Sequence, residues 1–256
     1  MGKLIAGAQM YTLRNYCKTA KDTAETLKKV SGMGYKVVQV SGMAEPADMK
    51  EMRKMLDANG IYACSTHTGY QKIVEETDRV IEEHKILGCE AIMCPGLPGE
   101  LCNREGYLKA AEILSPILKK AKDNGLTLGY HNHHHELQKY DGKTGLEILI
   151  ENCEGLHAEL DLYWIQAGGG DPAEWLEKFP GRYSQLHYKE MGIIDGKQVM
   201  LPIGSGNMNW KSIVEASRKA GAKYCLVELD HPVLDAFLSL KISLDNMRTW
   251  GIEPSL

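Results

Sequence analysis

Along the chain a two-part unit repeats. A charged segment with helical spacing ends at a glycine, and a short run rich in Val, Ile, Leu or Tyr follows. The junctions are Gly34-Tyr35, Gly60-Ile61, Gly88-Cys89, Gly125-Leu126, Gly155-Leu156, Gly181-Arg182-Tyr183 and Gly221-Ala222. A glycine just past a helix takes the left-handed conformation that closes the last turn. Strands are predicted over 4–10, 36–40, 62–66, 91–94, 126–130, 157–161, 184–188 and 224–228. Helices are predicted over 19–33, 47–59, 71–87, 105–124, 144–152, 172–179, 210–220 and 234–250. Asp171-Pro172 is a cap followed by a first-turn proline.

Eight strands alternating with eight helices, with no linker or low-complexity tract across 1–256, predict a single α/β domain built as one closed (β/α)8 TIM barrel. An open doubly wound sheet usually has fewer strands and a Gly-rich phosphate loop after an early strand; Tyr11-Thr12-Leu13-Arg14-Asn15 contains no glycine.

Composition narrows the function classes. The 256 residues suit one such barrel, and a formal net charge of −4 argues against a nucleic-acid-binding face. The longest apolar runs, such as 91–94 and 225–227, are far too short to cross a membrane. Met1–Ala6 runs straight into a strand without a signal-peptide apolar region. Seven scattered cysteines, an odd count with no Cys-x-x-Cys pair, read as reduced thiols of a cytoplasmic protein.

Barrel active sites lie at the C-terminal ends of the strands. Strands five to eight end in Tyr130-His131-Asn132-His133-His134-His135-Glu136, Glu159-Leu160-Asp161, His187-Tyr188-Lys189-Glu190 and Glu228-Leu229-Asp230-His231. Strand alternation puts Glu159 with Asp161, Gln185 with His187 and Lys189, and Glu228 with Asp230 on the inward face, while Leu160, Leu186 and Val227 face the helices. Buried carboxylates are costly without a compensating cation, so this pattern points to a divalent metal. Lys189 reads as a candidate proton donor or oxyanion partner. His67, His131, His133 and Trp164 read as substrate contacts, and Asp230 and His231 as groups that orient Glu228. His134 and His135 read as solvated loop residues. Adjacent histidines of an extended chain point in opposite directions, so the four-histidine run cannot ligate one ion as a whole.

These residues carry a resemblance. Tyr11-x-Leu13-Arg14, Tyr130-His131-Asn132-His133-x-x-Glu136, Glu159-x-Asp161, His187-x-Lys189-Glu190, Pro202-x-Gly204-x-Gly206 and Val227-Glu228 together resemble the sugar phosphate isomerase/epimerase family, with its xylose-isomerase-like barrel, over essentially the whole chain. The family includes ketose 3-epimerases and inosose dehydratases. The resemblance implies one metal held by Glu136, Asp161, His187 and Glu228, with His131 as the alternative ligand from strand five. Such a set suits Mn²⁺ first, with Mg²⁺, Co²⁺ or Zn²⁺ as alternatives. It also implies proton abstraction next to the carbonyl of a sugar or keto-polyol, with Glu136 and Glu228 as the proton carriers. The substrate would be a small molecule; a homo-oligomer is compatible with this reading.

Two departures favour a different branch. Where ketose epimerases resemble Asp-x-x-His, this chain has Asp161-Leu162-Tyr163-Trp164, and no Arg follows His187 before Arg218. His187-x-Lys189-Glu190 is closer to the His-x-Lys-Asp of inosose-dehydratase-like members, so a dehydratase or lyase acting on a cyclic keto compound is the alternative. A metal-dependent abasic-site endonuclease and a non-catalytic sugar-binding barrel are the remaining rivals. The first needs a basic DNA-binding face, and the second needs the metal set to be lost.

Overall fold

A computed structural model describes residues 2–43 and 48–255. Eight parallel strands close into a barrel: β1 (Ile5–Gln9), β2 (Val37–Val40), β3 (Tyr62–His67), β4 (Ala91–Cys94), β5 (Thr127–His131), β6 (His157–Asp161), β7 (Gln185–Tyr188) and β8 (Tyr224–Val227), with β8 pairing back onto β1. All eight predicted strands are present. Ten helices surround them among the described residues: α1 (Ala20–Met33), α2 (Met49–Ala58), α3 (Tyr70–Glu75), α4 (Thr77–Leu87), α5 (Arg104–Asp123), α6 (Gly145–Asn152), α7 (Leu162–Ala167), α8 (Pro172–Lys178), α9 (Trp210–Ala220) and α10 (Ala236–Thr249). The predicted start of the second helix at Ala47 lies outside the described residues. No helix of the described chain is long and apolar enough to cross a membrane.

Three local features depart from the predicted pattern. The helix expected over 71–87 breaks at Glu76, whose backbone (φ −124°, ψ 33°) leaves the helical region. Thr77 Oγ1 donates to the Ile73 carbonyl at 2.8 Å, a side-chain bond made just where the helix is interrupted. Helix α7 follows β6 with no loop, because Asp161 Oδ1 caps it by accepting from Trp164 N at 3.1 Å. Two hairpins, Lys139–Tyr140 with Lys143–Thr144 and Glu190–Ile194 with Lys197–Leu201, were not expected. Both turn on Asp-Gly pairs, Asp141-Gly142 and Asp195-Gly196, with positive φ at each residue (50° and 88°; 49° and 73°). Positive φ at both central positions is the type I′ arrangement that Asp-Gly favours.

The barrel interior has two layers of different chemistry. Ile5, Val37, Cys64, Tyr224 and Leu226 pack as an apolar plug near the N-terminal ends of the strands. Gly129 on β5 leaves room for Met93 of β4, since a Cβ there would lie 2.3 Å from Met93 Sδ. Above the plug the interior turns polar: Gln9, Gln39, Ser65, Glu159, Gln185 and His187 are all buried. Leu160, Leu186 and Val227 join the larger apolar cluster between strands and helices, as alternation predicted.

Buried Glu190, the first residue of the second hairpin, organises the Pro202-x-Gly204-x-Gly206 segment. Its carboxylate accepts from Met191 N (3.0 Å), Met208 N (3.1 Å), Gly204 N (2.9 Å) and the Trp210 indole N–H. A side chain at Gly206 would meet Met191 O at 2.3 Å, so the close approach requires glycine.

His84 gives the fold an acid-sensitive point. Nδ1 donates to the Val80 carbonyl at 2.6 Å and Nε2 lies 2.8 Å from the Thr66 hydroxyl, so the ring is held neutral. Burial pulls its pKa down to about 4. The unfolded chain takes up that proton near the usual value of about 6.5, so the contribution is complete above that pH and is lost as pH falls toward 4. The difference corresponds to about 3 kcal/mol. Denaturant titrations should therefore show His84→Gln losing less stability than the parent protein between pH 6.5 and 4.5. Parallel slopes for the two proteins would remove His84 as the cause.

Candidate active site

The C-terminal ends of β5 to β8 bring His131, Asp161, His187 and Glu228 together, each offering one ligand atom, with all four atoms within 4.8 Å of one another. His131 Nε2 lies 3.2 Å from Asp161 Oδ2. His187 Nδ1 lies 3.7 Å from the same oxygen and 2.7 Å from Glu228 Oε2. Three of the four residues expected as ligands thus converge, and His131 completes the group. Glu136 stands elsewhere. The short 3-10 turn His135–Leu137 folds it back, so that Oε1 accepts from Tyr130 OH at 2.6 Å and Oε2 from His133 N at 2.9 Å. Burial pushes the Glu136 carboxyl up, but the hydrogen bonds from His135 and Tyr130 outweigh it and bring the pKa down to about 2.

The layer below fixes His187. Its Nε2 faces Gln39 Oε1 at 2.7 Å and Glu159 Oε1 at 3.2 Å. Glu159 is further held by Gln39 Nε2 at 2.7 Å, by the Gln185 amide and by His67 Nε2 at 2.7 Å. With Nε2 occupied, Nδ1 is the nitrogen left to face Asp161 and Glu228, the second-shell arrangement that selects which imidazole nitrogen ligates. Gln9 and Gln39, hydrogen-bonded to each other, escaped the sequence reading. The available signal was a glutamine within the apolar run Val37-Val38-Gln39-Val40.

Lys189 is fully inside the barrel, 1% exposed. Its Nζ lies 2.9 Å from Asp161 Oδ2, 3.0 Å from Glu228 Oε2 and 2.8 Å from Asp230 Oδ2, and 5.5 Å above the Trp164 ring. Asp230 therefore pairs with Lys189, where the sequence suggested that it orients Glu228. Burial opposes every charge here, yet Glu159 and Glu228 beside it hold His187 well above the usual imidazole range, and Asp161 and Glu228 raise Lys189. Asp161 and Glu228 are correspondingly lowered by Lys189 despite their burial. Asp230 moves the other way: burial and the neighbouring Glu228 raise it in spite of Lys189. Three buried carboxylates, Glu159, Asp161 and Glu228, and the part-buried Asp230 thus surround the Lys189 ammonium and the His187 imidazole, and negative charge remains in excess.

A divalent cation fits this donor set on geometric grounds as well. His187 Nδ1 and Glu228 Oε2 are buried and face each other at 2.7 Å, yet neither makes a hydrogen bond. Two ligand atoms left outside hydrogen-bond geometry and converging on one point, beside an excess of carboxylate, are what an oxygen- and imidazole-ligated ion requires.

A cavity of about 470 Å³ opens above the group, walled by His67, His131, His133, Trp164, Lys189, Glu228, Asp230 and five further residues. All four predicted substrate contacts line it. His133 Nδ1 and Trp164 Nε1 are buried without hydrogen-bond partners. Burial lowers the His133 pKa to about 3, so its ring is neutral.

The fold and the motifs have counterparts among known proteins. Residues 27–250 match the family model for the xylose isomerase-like TIM barrel. A sugar phosphate isomerase/epimerase from Parabacteroides distasonis is 25% identical, with a TM-score of 0.76 over 95% of this chain and 92% of that one. An L-ribulose 3-epimerase is 16% identical, with a TM-score of 0.76 over 97% and 94% of the two chains. A probable 3-DHS dehydratase, AsbF, from Bacillus anthracis is 13% identical, with a TM-score of 0.71 over 97% and 99%. No curated protein sequence matches the chain significantly. With most of its length matched by the family model, the chain belongs to the xylose isomerase-like TIM-barrel family.

Proposed function

We propose that this protein is a divalent-metal-dependent enzyme of the isomerase/epimerase type that removes a proton next to the carbonyl of a sugar or keto-polyol. The observation that carries the reading is the convergence of His131, Asp161, His187 and Glu228, with His187 Nδ1 and Glu228 Oε2 facing each other at 2.7 Å outside hydrogen-bond geometry. These four residues would hold the ion, Mn²⁺ first among the candidates. When bound, the metal would supply Lewis-acid stabilisation of negative charge developing on the substrate oxygens.

The chain's own groups do the remaining work. Glu228 lines the cavity and is the carboxylate best placed to take the substrate proton. The Trp164 N–H, without a protein partner, suits a hydroxyl of a polyol, because it gains a partner that the protein does not provide. His67, fixed on Glu159, presents its ring to the same space.

One observation favours the dehydratase reading over two-carboxylate epimerisation. Glu136 is committed to Tyr130 and the His133 backbone, whereas the Lys189 ammonium lies in the cavity wall. An ammonium there can protonate a departing β-hydroxyl, and Asp230 holds it in place. Sugar-processing and dehydratase relatives share this barrel, which supports either outcome of the same initial proton removal.

The test is a set of free ketoses and keto-cyclitols incubated in D₂O with Mn²⁺ and followed by NMR. Enzyme- and metal-dependent C–H exchange next to a carbonyl is expected, with loss of a β-hydroxyl from a cyclic keto compound. Absence of exchange for every carbonyl substrate, with and without metal, would sink the reading.

A further inference from the structure

We propose a second cation site, separate from the barrel-centre set, in which Cys102, His133, His135 and Glu136 bind Zn²⁺ across the β4–α5 and β5–α6 connections. His133, His135 and Glu136 each present a ligand atom within 4.8 Å of the others, and none of them belongs to the barrel-centre group. His135 Nε2 lies 3.1 Å from Glu136 Oε1 and 3.6 Å from Cys102 Sγ. Ligands of one tetrahedral zinc stand about 3.3–3.7 Å apart, given Zn–N near 2.0–2.1 Å and Zn–S near 2.3 Å. The two His135 distances are close to that spacing; Cys102 Sγ meets it against His135 alone and must move in toward the other two ligands to complete the set.

The donor chemistry selects the metal. A thiol and two imidazoles beside one carboxylate suit zinc and disfavour magnesium or calcium, which prefer oxygen. The buried His133 Nδ1 has no protein partner. Tyr130 OH, 2.6 Å from Glu136 Oε1, would orient the carboxylate as metal-bound carboxylates are commonly oriented. The His135 side chain is 42% exposed, so an ion can enter from solvent. Binding forms a Zn–S bond and releases the Cys102 proton to water, with no change of oxidation state. The ion would tie together two connections at the rim and fix His133, whose ring lines the cavity.

The experiment is equilibrium dialysis of the full chain against Zn²⁺, followed by gel filtration and elemental analysis of metal per chain. Two zinc ions are expected for the parent protein, and one each for His135→Asn and His187→Asn. Cobalt loading supplies an independent signature. A near-ultraviolet thiolate-to-Co²⁺ charge-transfer band is expected in the parent and in His187→Asn, and is lost in Cys102→Ser. A single zinc that His187→Asn removes, or a second zinc retained by His135→Asn, overturns the rim site. So does cobalt loading without a thiolate band. A single zinc that His135→Asn removes keeps the rim site and counts against the barrel-centre one. Cys102 and His135 both reach the surface, so folding of these variants can be verified by circular dichroism.

Discussion

Glu228→Gln should lower turnover of the best keto substrate by about 10²- to 10⁴-fold, the range typical of losing a general acid–base group. The substitution keeps the shape of the side chain but removes its basicity. Glu228 Oε2 is 2.7 Å from His187 Nδ1 and 3.0 Å from Lys189 Nζ, so it touches both the proposed ligand set and the ammonium. Three other ligands remain in the variant, and metal measured by elemental analysis should be reduced but present. Deuterium exchange at the substrate carbon should fall in parallel with turnover, because both need the same proton removed. Turnover within about threefold of the parent enzyme, with metal bound, would strip Glu228 of its role as proton carrier. Complete loss of metal would move the effect to ligation, and Glu228→Asp then separates the two by restoring a carboxylate one methylene shorter.

The sequence carried more of this barrel than of its site. Strands β2 to β8 were legible because each follows a helix that ends in glycine, and those glycines do take positive φ at Gly34, Gly60, Gly88, Gly125, Gly155, Gly181 and Gly221. Inward and outward faces were legible on β6, β7 and β8, since a period of two leaves one choice once the apolar residues are assigned to the helix side. That logic stops where the strand stops. Glu136 lies five residues beyond His131, and a single 3-10 turn reverses its direction, so no alternation rule could aim it. Lys189 was placed on the correct face, but its three carboxylate partners come from the ends of two other strands, β6 and β8, and follow only from barrel closure. The two Asp-Gly hairpins were readable and were passed over, because the helix-then-strand rhythm absorbed their short β runs into loops.

The effect of Lys189→Met should be visible in stability and in chemistry, and the two readouts test different parts of the proposal. Without its ammonium, buried Asp161 and Glu228 and part-buried Asp230 are left crowded around an apolar side chain. Removing one partner of a buried ion pair typically costs about 3–5 kcal/mol. The metal-free variant should therefore unfold at markedly lower denaturant, and divalent metal should recover more stability in the variant than in the parent. This follows because Asp161 and Glu228 are shared between the ammonium and the proposed ligand set. In turnover, loss of a β-hydroxyl should slow more than α-proton exchange, since the ammonium is needed to protonate the leaving group and Glu228 still removes the proton. Exchange is read by deuterium incorporation and elimination by product absorbance or NMR. Equal slowing of both steps would make Lys189 a stabiliser of the first anion formed or a structural counter-ion. Robust C3 epimerisation of free ketohexoses, with no elimination from any keto-cyclitol or keto-glycoside, would return the site to epimerase chemistry and require a second proton carrier other than the sequestered Glu136.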